Sequence, residues 1–341
     1  MQFFNFKIES HGTKNDTIDD ASIVFSQTNT IFAFCFVYQA ILTSFQHTTQ
    51  SGIPFMKKFF VLTSLILIAA FGFTNKPEAT TAQEVIDKMF VAIDNTKTMQ
   101  FTFHQKERMI KGWNIAETFT KANLSPLKVY LKTTADGGHI EVLYSPAERG
   151  GKALIKPNGF PYVNVKLLPT SKQMLSTQHH TIQSIGFGKL KRIIQEALKR
   201  AKAQNGVNEV FKLNGSNTYD GKDCHVLLIT DPTFTFTNYT VKAGENLFDI
   251  AKAKHIAEYM IMERNPGIDD YFDVKAGQVL KIPTSYAQKT TLYIDKKTFL
   301  PIYQKMEDDK GLFEQYEFKN VKINPIFSVA EFTESWSDYG F

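Results

Sequence analysis

Residues 239–283, YTVKAGENLFDIAKAKHIAEYMIMERNPGIDDYFDVKAGQVLKIP, carry a strand–helix–helix–strand pattern that decides how the rest of the chain is interpreted. Residues 239–241 alternate like a short strand, and Asn246 is a favoured N-cap because its side-chain oxygen accepts a free amide of the first helical turn. A second apolar set predicts another short helix, which ends at Asn265-Pro266-Gly267. Residues 279–282 predict the closing strand. A unit this short needs both helices packed on the paired strands.

This stretch resembles the LysM module, a domain that binds peptidoglycan and chitin. The matching positions are spread over its whole length: Tyr239, Val241, Gly244-Glu245-Asn246-Leu247, Ile250-Ala251, Asn265-Pro266-Gly267-Ile268 and Gly277-Gln278-x-Leu280-x-Ile282-Pro283. Glu245-Asn246 stands where the family often has Asp-Thr.

In LysM domains, chains of N-acetylglucosamine lie in a shallow groove between the first strand–helix loop and the loop after the second helix. The resemblance therefore implies glycan contacts from Gly244, Glu245, Asn246, Leu247, Asn265, Pro266, Gly267 and Ile268. Exposed backbone amides and carbonyls suit the acetamido groups of a neutral sugar. The alternative is that these residues only maintain the small fold, which we favour for Leu247, Ile250 and Leu280.

The chain before this module has two N-terminal regions and a larger folded part. Residues 1–55 have no clear pattern, and Met56-Lys57-Lys58 then precedes an apolar run typical of a secretory signal peptide over residues 56–72. We expect translation to start at Met56, with residues 1–55 a doubtful extension and a mature N-terminus near residue 73. A single membrane anchor is the alternative for this run.

Composition excludes some classes of protein. The formal net charge of +5 over 341 residues suits anionic surfaces but is too small to argue for nucleic acid. Only Cys35 and Cys224 occur, and Cys35 lies in the doubtful extension, so no internal disulfide is expected. Cys224 lies in a buried-strand pattern and is interpreted as a core residue.

Residues 80–238 and 284–341 predict one domain interrupted by the module. An amphipathic helix with a capping box at Thr81 precedes period-two segments separated by short turns, which is typical of an antiparallel meander. Strands are predicted at 99–104, 115–122, 127–133, 139–144, 152–156, 162–168, 207–213, 224–230, 290–295, 301–306, 312–318 and 321–323. A basic amphipathic helix is predicted from Ile182 onward. This helix packs on the sheet or lies on a membrane surface. Because the terminal strands of the module pair, its ends lie close together and it can replace a hairpin loop.

This host domain resembles LolA-like lipoprotein carriers. The similarity lies in residues 291–301 followed by 315–321, in the N-terminal helix, and in Glu141-Val142-Leu143-Tyr144-Ser145-Pro146 before Gly150-Gly151-Lys152. It implies an α+β fold in which a strongly curved antiparallel sheet, a half-barrel, wraps around helices and encloses an apolar cavity for acyl chains. The implied lining residues are Phe101, Phe103, Phe119, Val129 and Leu131. The alternative is an ordinary filled core.

Motifs for catalysis, metals and cofactors are absent from the pattern, so no catalytic residue, metal or cofactor is expected. Gly221-Lys222 imitates a phosphate loop, but Asp223 replaces the required Ser or Thr. His179 and His180 are adjacent, and adjacent side chains diverge, which argues against a shared metal.

The sequence thus predicts an exported, non-catalytic protein of the periplasm or cell envelope of a Gram-negative-type bacterium. Its expected partners are peptidoglycan or another N-acetylglucosamine polymer, a lipid or lipoprotein, and peripherally the membrane, with no nucleic acid. The alternatives are a LysM-targeted cell-wall hydrolase and a structural envelope scaffold.

Overall fold

A computed structural model describes residues 80–135, 138–204 and 206–341 of the chain. The proposed extension at residues 1–55 and the signal peptide at 56–72 lie outside the described residues. Within the described residues, none of the helices combines the length and the hydropathy that a membrane-spanning helix requires.

The host domain is built on one sheet of 11 strands in the order β6-β5-β4-β3-β2-β1-β13-β12-β11-β8-β7, and every neighbouring pair is antiparallel. The strands are β1 (Thr98–Arg108), β2 (Trp113–Leu124), β3 (Leu127–Ala135), β4 (Gly138–Tyr144), β5 (Ala153–Lys156), β6 (Val165–Leu167), β7 (Phe211–Tyr219), β8 (Lys222–Thr230), β11 (Lys289–Asp295), β12 (Pro301–Asp308) and β13 (Gly311–Ile323). The sheet is open and curved like a half-barrel, as predicted.

Two long helices pack against one face of the sheet. The helices of the host are α1 (Ala82–Asn95), α2 (Lys172–Leu175), α3 (Gly188–Ala203) and α4 (Val207–Val210). Helix α1 buries Val85, Ile86 and Met89, and its N-cap Thr81 accepts a hydrogen bond from the Glu84 amide. These apolar side chains belong to the same core cluster as the buried residues of α3 and Phe101 of β1.

The LysM-like insert consists of β9 (Phe236–Thr240), α5 (Leu247–Lys254), α6 (Glu258–Arg264) and β10 (Val279–Pro283). Strands β9 and β10 form their own two-stranded sheet. The flanking strands β8 and β11 pair directly, with Thr230 opposite Lys289. The insert therefore stands where an ordinary hairpin would have a loop.

The structure corrects some element boundaries. Residues 207–210, predicted as strand, form the helical turn α4 because Gly206 has a φ of +82° and redirects the chain before β7. The helix predicted from Ile182 begins only at Gly188, after a 3₁₀ turn at Ile182–Ser184. The predicted strands at 312–318 and 321–323 are one continuous strand, β13, and β6 is shorter than predicted.

Candidate functional site

The first loop of the insert is shaped mainly by its own hydrogen bonds. Asn246 caps α5 by accepting from the amides of Phe248 and Asp249, and Asp249 completes the capping box. The Glu245 carboxylate accepts from the Tyr239 hydroxyl at 2.8 and 2.9 Å and from the Lys242 amide at 2.9 Å. Gly244 is exposed, whereas Leu247 is fully buried.

The second loop is fixed in the same way. The Asn265 side chain donates to the carbonyls of Ile261 and Lys281 and accepts from the Lys281 amide at 2.8 Å, so it ties α6 to β10. Ile268 is buried, and Pro266 and Gly267 are exposed. Asn265, Leu247 and Ile268 therefore stabilise the fold of the module, through hydrogen bonds in the first case and burial in the other two. Glycan contact by the eight predicted residues stays a prediction.

The two loops are neighbours, and aromatic residues lie where they meet. The Leu247 amide donates to the Tyr271 carbonyl at 2.9 Å. The Phe248 ring stacks on Tyr271 with centroids 4.6 Å apart and lies 5.7 Å from Phe272, which is 52% exposed. The sequence analysis missed these three aromatic residues. The signal was present, because each loop carries adjacent large apolar residues, Leu247-Phe248 in the first and Tyr271-Phe272 in the second.

A cleft of about 770 Å³ runs beside these loops, between α5 and the host domain. Asn246, Phe248 and Phe272 line it from the insert, and Thr170 and Arg192 line it from the host. The host therefore borders the candidate glycan surface without covering Phe272.

The host domain contains a second cavity, of about 490 Å³, between the concave face of the sheet and α3. Its apolar wall comes from the β3–β6 side of the sheet and from the segments before α3: Leu131, Ile140, Val142, Ile155, Leu167, Met174, Ile182 and Ile185. Its volume lies within the range of roughly 300–1,000 Å³ that is usual for small-molecule sites.

The five residues predicted to line this cavity lie in three different environments. Phe103 and Leu131 line it. Phe101 and Val129 are buried in packed core clusters instead, so the filled-core alternative holds for them. Phe119 is a correction: Thr118 and Thr120 line the cavity, and because side chains alternate along a strand, Phe119 points to the other face, where it packs against a cluster containing Tyr130 and Leu143.

Opposite the apolar wall, the cavity ends on a buried polar cluster that sequence reasoning missed. The cluster consists of Glu107, His179, His180, Lys189, Glu258, Tyr286, Glu314 and Tyr316. Six of these line the cavity: Glu107, His180, Lys189, Tyr286, Glu314 and Tyr316. The eight residues of the cluster come from five separate parts of the chain, near residues 107, 179–189, 258, 286 and 314–316. A local sequence motif therefore could not have predicted the cluster.

Glu314 is the centre of this cluster. Its Oε2 lies 3.0 Å from His179 Nδ1, 3.2 Å from His180 Nε2 and 3.1 Å from the Tyr316 hydroxyl, and Tyr286 donates to its Oε1 at 2.7 Å. Burial works to raise the pKa of Glu314, but the two imidazoles hold it well below its ordinary value. Adjacent His179 and His180 thus reach the same carboxylate oxygen, contrary to the expected divergence.

His180 is held by charges on both sides. Burial and the Lys189 ammonium lower its pKa, but the Glu314 and Glu258 carboxylates outweigh them and raise the pKa of His180 to about 9. Lys189 Nζ lies 2.8 Å from His180 Nδ1 and 2.8 and 3.0 Å from the Glu258 oxygens. Since a doubly protonated ring has no lone pair, the Lys189–His180 contact is repulsive and Glu258 holds the ammonium in place.

Glu107, His179 and Glu314 offer one nitrogen and two carboxylate ligands within 4.8 Å of one another, which is the donor set of a metal site. Each group already has protein partners, however. His179 Nε2 donates to the Arg108 carbonyl at 2.9 Å, and Glu107 accepts from Tyr316 at 2.5 Å and from the His179 amide at 3.1 Å. The group is complete as a hydrogen-bond network.

A second set of charges joins the insert to the host. Arg108 at the end of β1 forms two hydrogen bonds with Glu263 of α6, both 2.9 Å, and two with Asp308 of β12, at 3.0 and 2.5 Å. Arg264 of α6 also pairs with Asp308, at 2.8 Å, and with Asp309. The side chains of Arg108, Glu263 and Asp308 are at most 12% exposed.

These features define the class of protein: an open antiparallel half-barrel with a cavity, carrying a βααβ insert. Residues 239–283 match the LysM domain, so the predicted LysM insert is confirmed. Residues 96–253 match a family described as a protein of unknown function, DUF1571. No curated protein is significantly similar in sequence.

Several solved structures align with this chain at low similarity. The Pseudomonas aeruginosa MucA/MucB complex is 12% identical with a TM-score of 0.35 and aligns over 74% of this chain and 60% of that chain. Mycobacterium tuberculosis lipoprotein LppX is 10% identical with a TM-score of 0.34, over 72% and 97%. A LolA superfamily protein from Nitrosomonas europaea is 11% identical with a TM-score of 0.26, over 73% and 96%.

The chain therefore spans about three fifths of the MucA/MucB match, with 60% of that chain covered. At these scores the fold assignment rests on the sheet topology described above and not on the similarities.

Proposed function

We propose that this protein is a binding protein of the cell envelope, without catalytic activity, that holds two different ligands. The LysM insert binds peptidoglycan or another N-acetylglucosamine polymer, and the half-barrel holds an acyl-bearing ligand, a lipid or a lipoprotein, in its cavity. Attachment to the wall would keep such a carrier near the membranes it serves. The polymer lies outside the cytoplasm, which agrees with the signal peptide expected at residues 56–72.

The observation that carries the proposal is the LysM match at 239–283, together with a cleft that Asn246 of the first loop and Phe272 of the second line. Asn246 is the one predicted glycan-contact residue among the described residues that line this cleft. Phe272 offers an exposed ring on which an apolar sugar face can lie, and Gly244, Pro266 and Gly267 leave backbone groups accessible nearby. The cavity of about 490 Å³ supports the second ligand.

Sedimentation of the full chain with insoluble peptidoglycan tests the first ligand. Phe272→Ala is the informative variant, because the ring is 52% exposed and its loss leaves the fold intact. We expect roughly tenfold weaker binding, the effect of about 1.4 kcal/mol at an interface hot spot. Val279→Ala is the matched control, since Val279 is 57% exposed on β10 and does not line the cleft.

Wild-type protein that stays in the supernatant would refute wall binding, and equal binding by Phe272→Ala would refute this location for the groove. Substitution of Asn265 or Leu247 is uninformative here, because both hold the module together. Zymography on wall-containing gels separates the proposal from the hydrolase alternative. We expect no clearing.

A further inference from the structure

The cavity of the half-barrel changes character along its length. The sheet places Ile140 on β4, Ile155 on β5 and Leu167 on β6 at one side, and the buried polar cluster at the other. Between them, β2 and β3 present threonine hydroxyls from Thr118, Thr120 and Thr133. A ligand that fills this space contacts hydrocarbon at one end and hydrogen-bonding groups at the other. A plain acyl chain therefore matches only part of the cavity.

Among the described residues that line the cavity, Thr120 has a buried hydroxyl to which the protein offers no hydrogen-bond partner. The Thr118 and Thr133 hydroxyls bond each other at 2.9 Å. Thr120 is 0% exposed, and its Oγ1 has no hydrogen-bond partner among the described residues. A buried hydroxyl without a partner destabilises a protein by about 1–3 kcal/mol, so its presence on a cavity wall calls for a partner. A hydroxyl both donates and accepts, and Thr120 Oγ1 is fully covered in the empty protein. A ligand hydroxyl or ester oxygen would satisfy it when the threonine side chain turns toward the cavity.

The charged end of the cavity offers no free counter-ion. Lys189 is held by Glu258, Glu314 is surrounded by two imidazoles and two tyrosines, and Glu107 accepts from Tyr316 and the His179 amide. An ionic head group entering here would lose its hydration without gaining an unpaired opposite charge. The lining also holds two groups of each sign, Glu107 and Glu314 against Lys189 and His180, so neither an anionic nor a cationic head group gains a net attraction there.

We infer that the cavity selects an uncharged amphiphile, with its hydroxyl or ester oxygen at Thr120 and its chain against the wall formed by Ile140, Ile155 and Leu167. Fatty acids and phosphate-bearing heads are discriminated against. This inference rests on the proposed function, since it specifies the ligand of the half-barrel.

The test compares probes with one chain and different heads: monododecanoyl glycerol, dodecanoate and dodecyltrimethylammonium, titrated into delipidated full-length protein by calorimetry below their micellar concentrations. We expect the glyceride to bind at least tenfold more tightly than either ion. Thr120→Val keeps the shape and removes the hydroxyl, and should weaken glyceride binding about fivefold, the effect of one hydrogen bond near 1 kcal/mol.

The same substitution should leave thermal stability unchanged or higher, because it removes an unpaired group, so lost binding cannot be attributed to unfolding. Thr102→Val is the matched control, since Thr102 lies on the opposite face of β1 from Phe103 and Gln105, which line the cavity.

Tight binding of dodecanoate or dodecyltrimethylammonium, or a Thr120→Val protein that binds the glyceride as well as wild type, overturns the head-group inference and leaves the carrier function standing. Failure of all three probes overturns the carrier function itself.

Discussion

The insert and the half-barrel solve the problem of buried polar groups in opposite ways. In the LysM domain the partners are close in sequence: Asn246 bonds the amides of Phe248 and Asp249, and Asn265 bonds residues four and 16 positions away. In the half-barrel Tyr316 bonds Glu107 across 209 positions and His179 bonds Glu314 across 135. Local motifs thus describe the two loops of the insert, whereas the polar cluster of the half-barrel forms only when the sheet brings distant residues together.

The two regions are also joined by charge and not merely by linkers. Helix α6 of the insert contributes Glu263 and Arg264 to one ion-pair group and Glu258 to the polar end of the host cavity. The insert therefore supports the host site from behind its wall, because Glu258 bonds Lys189, which lines the cavity.

The largest effect is expected where the regions meet. Arg108→Met leaves the buried carboxylates of Asp308 and Glu263 without their main partner, which should destabilise the protein by about 3–5 kcal/mol. Urea denaturation measures this change. Lys88→Met, in an exposed pair with Glu84, is the control and should have little effect. Equal midpoints for both variants would show that the insert is held by other contacts.

The polar cluster of the half-barrel should make stability depend on pH through His180. Its folded-state pKa of about 9 is raised from 6.5, so its contribution is fully present below 6.5 and is lost as pH rises through about 9. We expect unfolding free energy to fall between pH 7 and pH 10 by about 2–3 kcal/mol more in wild type than in His180→Gln. His139→Gln, at an exposed position, is the control and should follow wild type.

The polar cluster also makes the free energy of unfolding depend on pH at acid pH, through Glu258. Burial opposes ionisation of Glu258, but Lys189 and His180 lower its pKa below the ordinary 4.5, so its contribution is present above 4.5 and disappears as the solution is made strongly acid. The window in which both contributions hold therefore covers neutral pH. Parallel wild-type and His180→Gln curves across the alkaline range would contradict the role given to His180.

The smallest effect is expected inside the insert. Asn265→Ala removes three hydrogen bonds between α6 and β10 and should destabilise the protein by about 2 kcal/mol. Asn246→Ala removes only the N-cap of α5, for about 1 kcal/mol. Hydrogen exchange locates the change: amides of residues 239–283 should lose protection while β1 and β13 keep theirs. Loss of protection in β1 would show that the two regions unfold together.

Much of the fold was predictable because its signals are local. The alternation of apolar and polar residues predicted the strands of the meander, and turn residues marked their ends. Between residues 182 and 213 the helix and strand boundaries differ from the predicted ones, because Gly186 and Gly206 have positive φ values and redirect the chain. The direct pairing of β8 with β11 agrees with the insertion expected from the paired ends of the module.

The candidate sites were predictable only in part. Phe103 and Leu131 line the cavity, whereas Phe119 lies on the other face of β2 because side chains alternate along a strand. The register of β2 was not readable from residue types alone. Among the loop residues, Asn265 and Leu247 proved to be structural, and the exposed ring of Phe272 was missed.

The amino-acid sequence by itself determined the LysM insert, its place between two strands and the antiparallel character of the host, because each depends on spacing over a few residues. Tertiary structure alone decided the polar cluster around Glu314, the unpartnered hydroxyl of Thr120 and the Arg108 contact between host and insert. The physical reason is that burial and charge pairing join residues more than 100 positions apart, and their consequences arise only when the sheet brings those residues into one low-dielectric space.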